Sequence, residues 1–222
     1  MSSEIKTTNI LHPSSGSNNL VLASDGSATT TLSSTSVVPA SIGGSMHLIQ
    51  KPTASSSSLI EFTNLGNHSA FPHLFFIFSD VFPSLDGGNL IAKIATTGTT
   101  YISASYHSVG FYIERNINNG NAGSGTVNSV NSQILTFDYN GNNTTSDQGV
   151  SGQACLYNHN SSSVYKRIIF EGCADKANDI ASMTFGHGTY KANKYAFTAI
   201  KFEMGAGNIA SGSITMYGIK DA

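Results

Sequence analysis

Residues 195–222, YAFTAIKFEMGAGNIASGSITMYGIKDA, alternate apolar and polar side chains in two runs separated by glycines. In the first run Ile200, Phe202 and Met204 point one way, and Lys201 and Glu203 the other. A period of two is the mark of a strand with one buried face. Gly205, Gly207 and Gly212 punctuate the turn that follows. Ile214 and Met216 then share one face of a second run, with Tyr217 and Ile219 on the other. The stretch predicts a β-hairpin. A two-stranded ribbon is marginal in water, so the rest of the chain must supply a larger sheet for it to close.

Moving outward, strand signals recur about every ten residues from Ser45 on. They are MHLIQK (46–51), SSLIEFTNL (57–65), PHLFFIFSDV (72–81), NLIAKIAT (89–96), TYISASY (100–106) and VGFYIER (109–115), then ILTFDYN (134–140), GQACLYN (152–158), VYKRIIFEG (164–172) and ASMTFGHGTY (181–190). The run 72–81 is apolar on both faces, Leu74, Phe76 and Phe78 on one and Phe75 and Ile77 on the other, which suits a central strand. Residues 116–131 and 141–152 read as long polar loops, and loops of that length are commonly functional. The short stretch 173–181, CADKANDIA, reads as a loop. Many short strands with turn punctuation predict an all-β fold, a jelly-roll-like antiparallel β-sandwich over 46–222.

Composition narrows the function classes. The 222 residues carry 11% charged side chains and a net charge of −2. A basic footprint for nucleic acid is missing, and no apolar run approaches the roughly 18 residues of a membrane span. The expectation is no nucleic acid and no membrane insertion. Twelve Phe and nine Tyr suffice for a core, while the lack of Trp argues against a Trp-platform lectin. The opening MSSEIKTTNI has no charged segment leading into an apolar stretch. A chain folded in a reducing cytoplasm is expected, with Cys155 and Cys173 as free, buried thiols. A hairpin of 152–158 with 164–171 sets Cys155 toward Lys166, not Cys173.

Residues 1–45 differ from the rest. Their apolar pieces, Ile10-Leu11, Leu20-Val21-Leu22 and Val37-Val38, are short and bounded by Ser, Gly, Asn or Pro. Such a segment has no core of its own. It is either a flexible leader or an extended N-terminal arm that becomes ordered against a partner chain. Leu20, Val21 and Leu22, isolated in polar sequence, favour the arm and are the expected oligomer or capsid contacts.

Motifs for chemistry are few. There is no G-x-S-x-G, Walker or C-x-x-C pattern. His68 and His73 lack a third ligand at sensible spacing, and His187 reads as a buried polar residue with a backbone partner. Asp138, Asn140 and Asn142 mimic the start of a calcium loop, but Asn143 and Gly149 stand where an EF-hand needs Gly and Glu. Asp80, Asp86, Glu114 and Asp138 are carboxylates that chance placement explains as well as a glycan-cutting pair does. No catalytic residue, metal or cofactor is expected. Tyr139, Asn140, Asn142 and His159, with Tyr157 and Asn158, instead have the Tyr/Asn character of a recognition surface or of an ordinary solvated loop. They are the candidate receptor contacts.

Three stretches carry a resemblance. SSEIKTTNI…SNNLVLASDGSATT is similar to the leader of marine bacteriophage virion structural proteins, tail-fibre-like or of the head-decoration or head-fibre type. SLIEFTNLG…HLFFIFSDVFPSLDGGNLIAKIATTG…TYISASYH resembles their sheet core, and FTAIKFEMGAGNIASGSITMYGIKDA their common terminus. The resemblance implies a non-enzymatic virion surface protein, often trimeric, with a jelly-roll-like fold and capsid or tail proteins as partners. It implies assembly in the host bacterial cytoplasm. Two alternatives stand beside it: a tail-fibre receptor-binding protein whose loops 116–131 and 141–151 recognise host surface glycans, and a glycan-active enzyme on a β-sandwich.

Overall fold

The computed structural model of the chain describes residues 9–11, 18–22, 28–29, 46–85, 88–116, 120–127, 135–137, 149–176 and 180–220. Contacts divide the chain into two compact units, Met1–Gly44 and Ser45–Ala222. In the first, β1 (Asn9–Leu11), β2 (Asn18–Leu22) and β3 (Ala28–Thr29) form an antiparallel sheet in that order. Ile10 lies opposite Leu20 and Val21 opposite Thr29. The described part of this unit is therefore paired strand, where the sequence suggested an extended arm. Pairing gives backbone N–H and C=O groups the partners that a bare arm leaves to water.

The second unit is an antiparallel β-sandwich. Its strands are β4 (Met46–Gln50), β5 (Thr53–Ser57), β6 (Ile60–Phe62), β7 (His73–Pro83), β8 (Leu90–Ala95), β9 (Tyr106–Asn116), β10 (Ala122–Val127), β11 (Leu135–Phe137), β12 (Val150–Tyr157), β13 (Arg167–Lys176), β14 (Ile180–Tyr190), β15 (Ala199–Met204) and β16 (Ile209–Ile219). A 3-10 turn spans Leu65–His68. One sheet runs β10-β9-β14-β13-β12-β7-β16-β4, with β5 also on β16; the other runs β11-β8-β15-β6. The pairings nest: β16 takes β4 and β5, β15 takes β6, β12 takes β7, and β11 takes β8. The pairs β9–β10 and β13–β14 are insertions into this scheme that widen the first sheet beyond β12.

The inner faces meet in an aromatic and aliphatic core. Leu74, Phe76 and Phe78 of β7, Leu156 of β12, Phe170 of β13 and Met216 of β16 pack against Phe62, Ile94, Ile200 and Phe202. Phe202 sits among three rings, with centroids 5.2 Å from Phe76, 5.2 Å from Phe78 and 6.1 Å from Phe62, all edge-on. That edge-to-face geometry is the favourable one for aromatic pairs.

Several sequence expectations change. The last two strands are not a hairpin: β15 lies in the four-stranded sheet and β16 in the wide one, so the glycine-rich link crosses between sheets. Both strands bury the residues expected, because alternation is local, but their partners are remote in sequence. Residues 100–105 form no strand; Tyr101 makes a lone bridge to Ala95, and β9 begins at Tyr106. The polar stretch 116–131 contains β10, and of 173–181 the described residues 173–176 end β13 and 180–181 begin β14. Gly212 has φ 109° and Asp80 has φ 49° where the β7–β16 register shifts. A β-carbon at Gly212 would run into the Asp80 carbonyl oxygen, so this double bulge requires glycine.

Candidate functional site

A two-layer sandwich has two outer faces, and water normally makes both of them polar. The outer face of the four-stranded sheet obeys. Lys93 and Lys201 bind Glu203 at 2.8 and 2.5 Å. The Tyr101 hydroxyl donates to Glu61 at 2.6 Å, and Lys201 lies 5.0 Å above the Tyr101 ring. Burial pushes the Glu203 carboxyl up, but the two lysines outweigh it and hold the group below the ordinary glutamate range. Burial and Glu61 together push the Tyr101 hydroxyl up.

The outer face of the wide sheet does not obey. Register places Leu48, Tyr217, Phe75, Cys155, Ile169, His187 and Val109 in one row across β4, β16, β7, β12, β13, β14 and β9. The neighbouring row includes Ile77, Phe185 and Phe111. Alternation puts every second residue of a strand on this face, and here many of those positions are apolar, with the hydrogen-bonded pair Gln153 and Glu171 standing between Ile77 and Phe185 in the second row. Val109, Phe111, Ile113, Ile169, Met183 and Phe185 are 42% to 53% exposed, and the Phe111 and Phe185 rings lie 5.8 Å apart. At roughly 200 Å² for a large side chain, these six leave roughly 550 Å² of apolar surface in one patch. Soluble monomers carry about 300–600 Å² in their largest patch, and such patches are commonly interaction sites. Leu48 and Met46, 62% and 47% exposed at the opposite edge, raise the total to roughly 750 Å², near the ~800 Å² per partner of a stable interface.

The residues singled out from sequence fall in different places. Leu20, Val21 and Leu22 lie in β2, opposite Ile10, Asn9 and Ala28; their side chains are outside the described residues. Tyr139, Asn140 and Asn142, with most of the 141–151 loop, also lie outside them. His159 is corrected: its ring is fully buried, not part of a contact surface. One ring nitrogen faces the Pro72 carbonyl at 3.4 Å and the other the Leu65 carbonyl at 3.3 Å. Burial holds the His159 ring below the ordinary histidine value, and His68 and His73 nearby add to that. The Asn158 N–H donates to His73 Nδ1 at 3.3 Å. His159 and His73 thus pin the turn after β12 to the 65–73 segment. Among the described residues no group of three His, Cys, Asp or Glu is arranged to hold a metal.

His187 is half-buried and bonded to the Thr189 hydroxyl at 2.9 Å rather than to backbone. Asp80 accepts from Ser151 at 3.0 Å inside the bulge. Both cysteines are free, but Cys155 is half-buried and Cys173 exposed, facing Ile169 and Ser151 across the ladder. Both belong to the apolar outer face. Burial pushes the Cys155 thiol up. Sequence reading missed this face because alternation marks Val109, Phe111 and Ile113 of β9 and Met183 and Phe185 of β14 as one apolar side, and periodicity does not say which side is covered. Compared with known protein families, the chain matches none, and compared with curated proteins it also matches none.

Proposed function

We propose that this chain is a non-enzymatic structural protein of a bacteriophage virion, displayed on the particle as a capsid-decoration or fibre-type component and assembled as a homotrimer. The observation that carries the reading is the apolar outer face of the wide sheet, which water alone does not favour and a neighbouring subunit would cover. Strand order supports it. With β4/β5, β6, β7, β8, β11, β12, β15 and β16 taken as eight successive strands, they pair first with eighth, second with seventh, third with sixth and fourth with fifth. That nesting supports a jelly-roll reading, an architecture frequent in viral capsid and lectin domains. Fold alone does not assign function, so the exposed face bears the weight. Free cysteines suit assembly in a bacterial cytoplasm. The first unit, Met1–Gly44, is the attachment segment in this reading.

Two measurements test the proposal. Light scattering on the full chain should give three times the 23.3 kDa chain mass. Mass spectrometry of purified particles should find the chain at stoichiometric copy number. A monomer at high concentration that is also missing from particles overturns the reading. A receptor-binding fibre domain is the second reading, favoured by a cationic cavity at one end of the same face.

A further inference from the structure

At the β9–β14–β13 end of the outer face, the apolar rows give way to a row of a different character. Register aligns His107 of β9, Thr189 of β14 and Arg167 of β13 side by side. Val109 and His187 stand one row further in. Tyr165 enters from the loop before β13, and Lys191 follows β14 directly. Together with Ser108 these residues line a cavity of about 350 Å³.

The lining has a one-sided charge. Arg167 and Lys191 are permanent cations, His107 and His187 are titratable ones, and no carboxylate lines the cavity. Neither Arg167 nor Lys191 has an ion-pair partner among the described residues. Lys194, outside the lining, places a further cation 5.4 Å from the Tyr165 ring centroid. Burial and the charges of Arg167 and Lys191 hold the His187 ring below its ordinary value. Unpaired cations gathered around one concavity repel one another, and an anion placed there relieves the repulsion. The Arg167 guanidinium has the planar fork that matches a carboxylate or sulfate edge.

Size and the other walls narrow the ligand. A cavity near 350 Å³ is much larger than a bare tetrahedral oxyanion needs and lies at the small end of ligand pockets, about 300–1,000 Å³. Tyr165, 39% exposed, and Val109, 47% exposed, supply apolar surface. The Thr189 hydroxyl and His187, already bonded at 2.9 Å, supply polar groups that both donate and accept. We infer that this cavity binds an acidic sugar, with Arg167 and Lys191 on its carboxylate or sulfate and Tyr165 and Val109 against the ring. The inference rests on the cavity alone and not on how the chain assembles.

The test is calorimetric titration of the full chain with sodium glucuronate, with glucose as the uncharged control and sodium sulfate as the ring-less anion, all at one ionic strength. Glucuronate should bind at least about tenfold more tightly than either control. Arg167→Gln and Lys191→Gln should each weaken it by about tenfold, the usual scale for a lost hydrogen bond to a charged group, with the circular dichroism spectrum unchanged. A short uronate oligosaccharide should bind at least as tightly as the monomer. Equal binding of glucose and glucuronate, or variants that bind like the wild type, would overturn the inference. Sulfate binding as tightly as glucuronate would overturn the sugar assignment. Light scattering on the same samples separates this result from assembly: lost binding at unchanged mass speaks only to the cavity.

Discussion

Replacing Phe111 and Phe185 together by Thr tests the exposed face directly. Threonine keeps the β propensity of an aromatic residue while removing its apolar area. The two rings are 50% and 42% exposed, so at roughly 200 Å² per residue they offer a neighbour roughly 190 Å². At about 25 cal/mol per Å² full coverage contributes up to about 5 kcal/mol per subunit. Interfaces return less than this, because association has ordering costs of its own. A loss of about 2–4 kcal/mol is the working figure, equivalent to roughly 30- to 700-fold weaker assembly at 1.4 kcal/mol per decade. Monomer stability should fall by only about 1 kcal/mol, the scale of one cross-strand aromatic pair. Sedimentation over a concentration series reads the first quantity and urea unfolding the second. Cys173, exposed on the same face, gives a chemical readout: iodoacetamide labelling should be slow in the assembled wild type and fast in the variant. Unchanged sedimentation would show that the face is not the interface. Loss of several kcal/mol in urea would show that it belongs to the fold of the single chain.

Three further outcomes follow from the interior. Phe202→Ala empties the centre of the aromatic cluster and should cost about 3–5 kcal/mol in urea unfolding; a cost under about 1 kcal/mol would show that the two sheets do not meet there. Gly212→Ala, at φ 109° against the Asp80 carbonyl, should destabilise by at least about 2 kcal/mol, whereas Gly66→Ala, with open space around it, should be near neutral. Because the folded His159 ring titrates below the ordinary value of 6.5, the unfolded chain takes up a proton first as pH falls. Stability should be full above about pH 6.5 and then drop by up to about 1.4 kcal/mol per pH unit until the folded ring itself titrates. His159→Gln should remove that part of the slope, and an unaltered slope would assign the acid sensitivity to other groups.

Much of this protein was legible in the order of its residues. Alternation is a property of neighbours, so Ile200, Phe202, Met204, Ile214 and Met216 declared their buried face, and the runs around Phe76, Ile94 and Phe170 declared strands, without reference to any partner. Glycine and asparagine turns between short runs were enough for an all-β sandwich. What sequence left open was every decision made at long range. Strands β15 and β16, adjacent in the chain, lie in different sheets, because pairing is settled by which remote strand completes the core, β6 and β8 for one and β7 for the other. His159 resembled a surface loop residue until the fold closed Pro72 and Leu65 around it. The apolar side of β9, β13 and β14 left in water, and the cavity that gathers His107, Tyr165, Arg167, His187 and Lys191, exist only once these three strands and the residues flanking them share one sheet surface. Side-chain period is local physics, while coverage of a face depends on what the rest of the chain has left to place there.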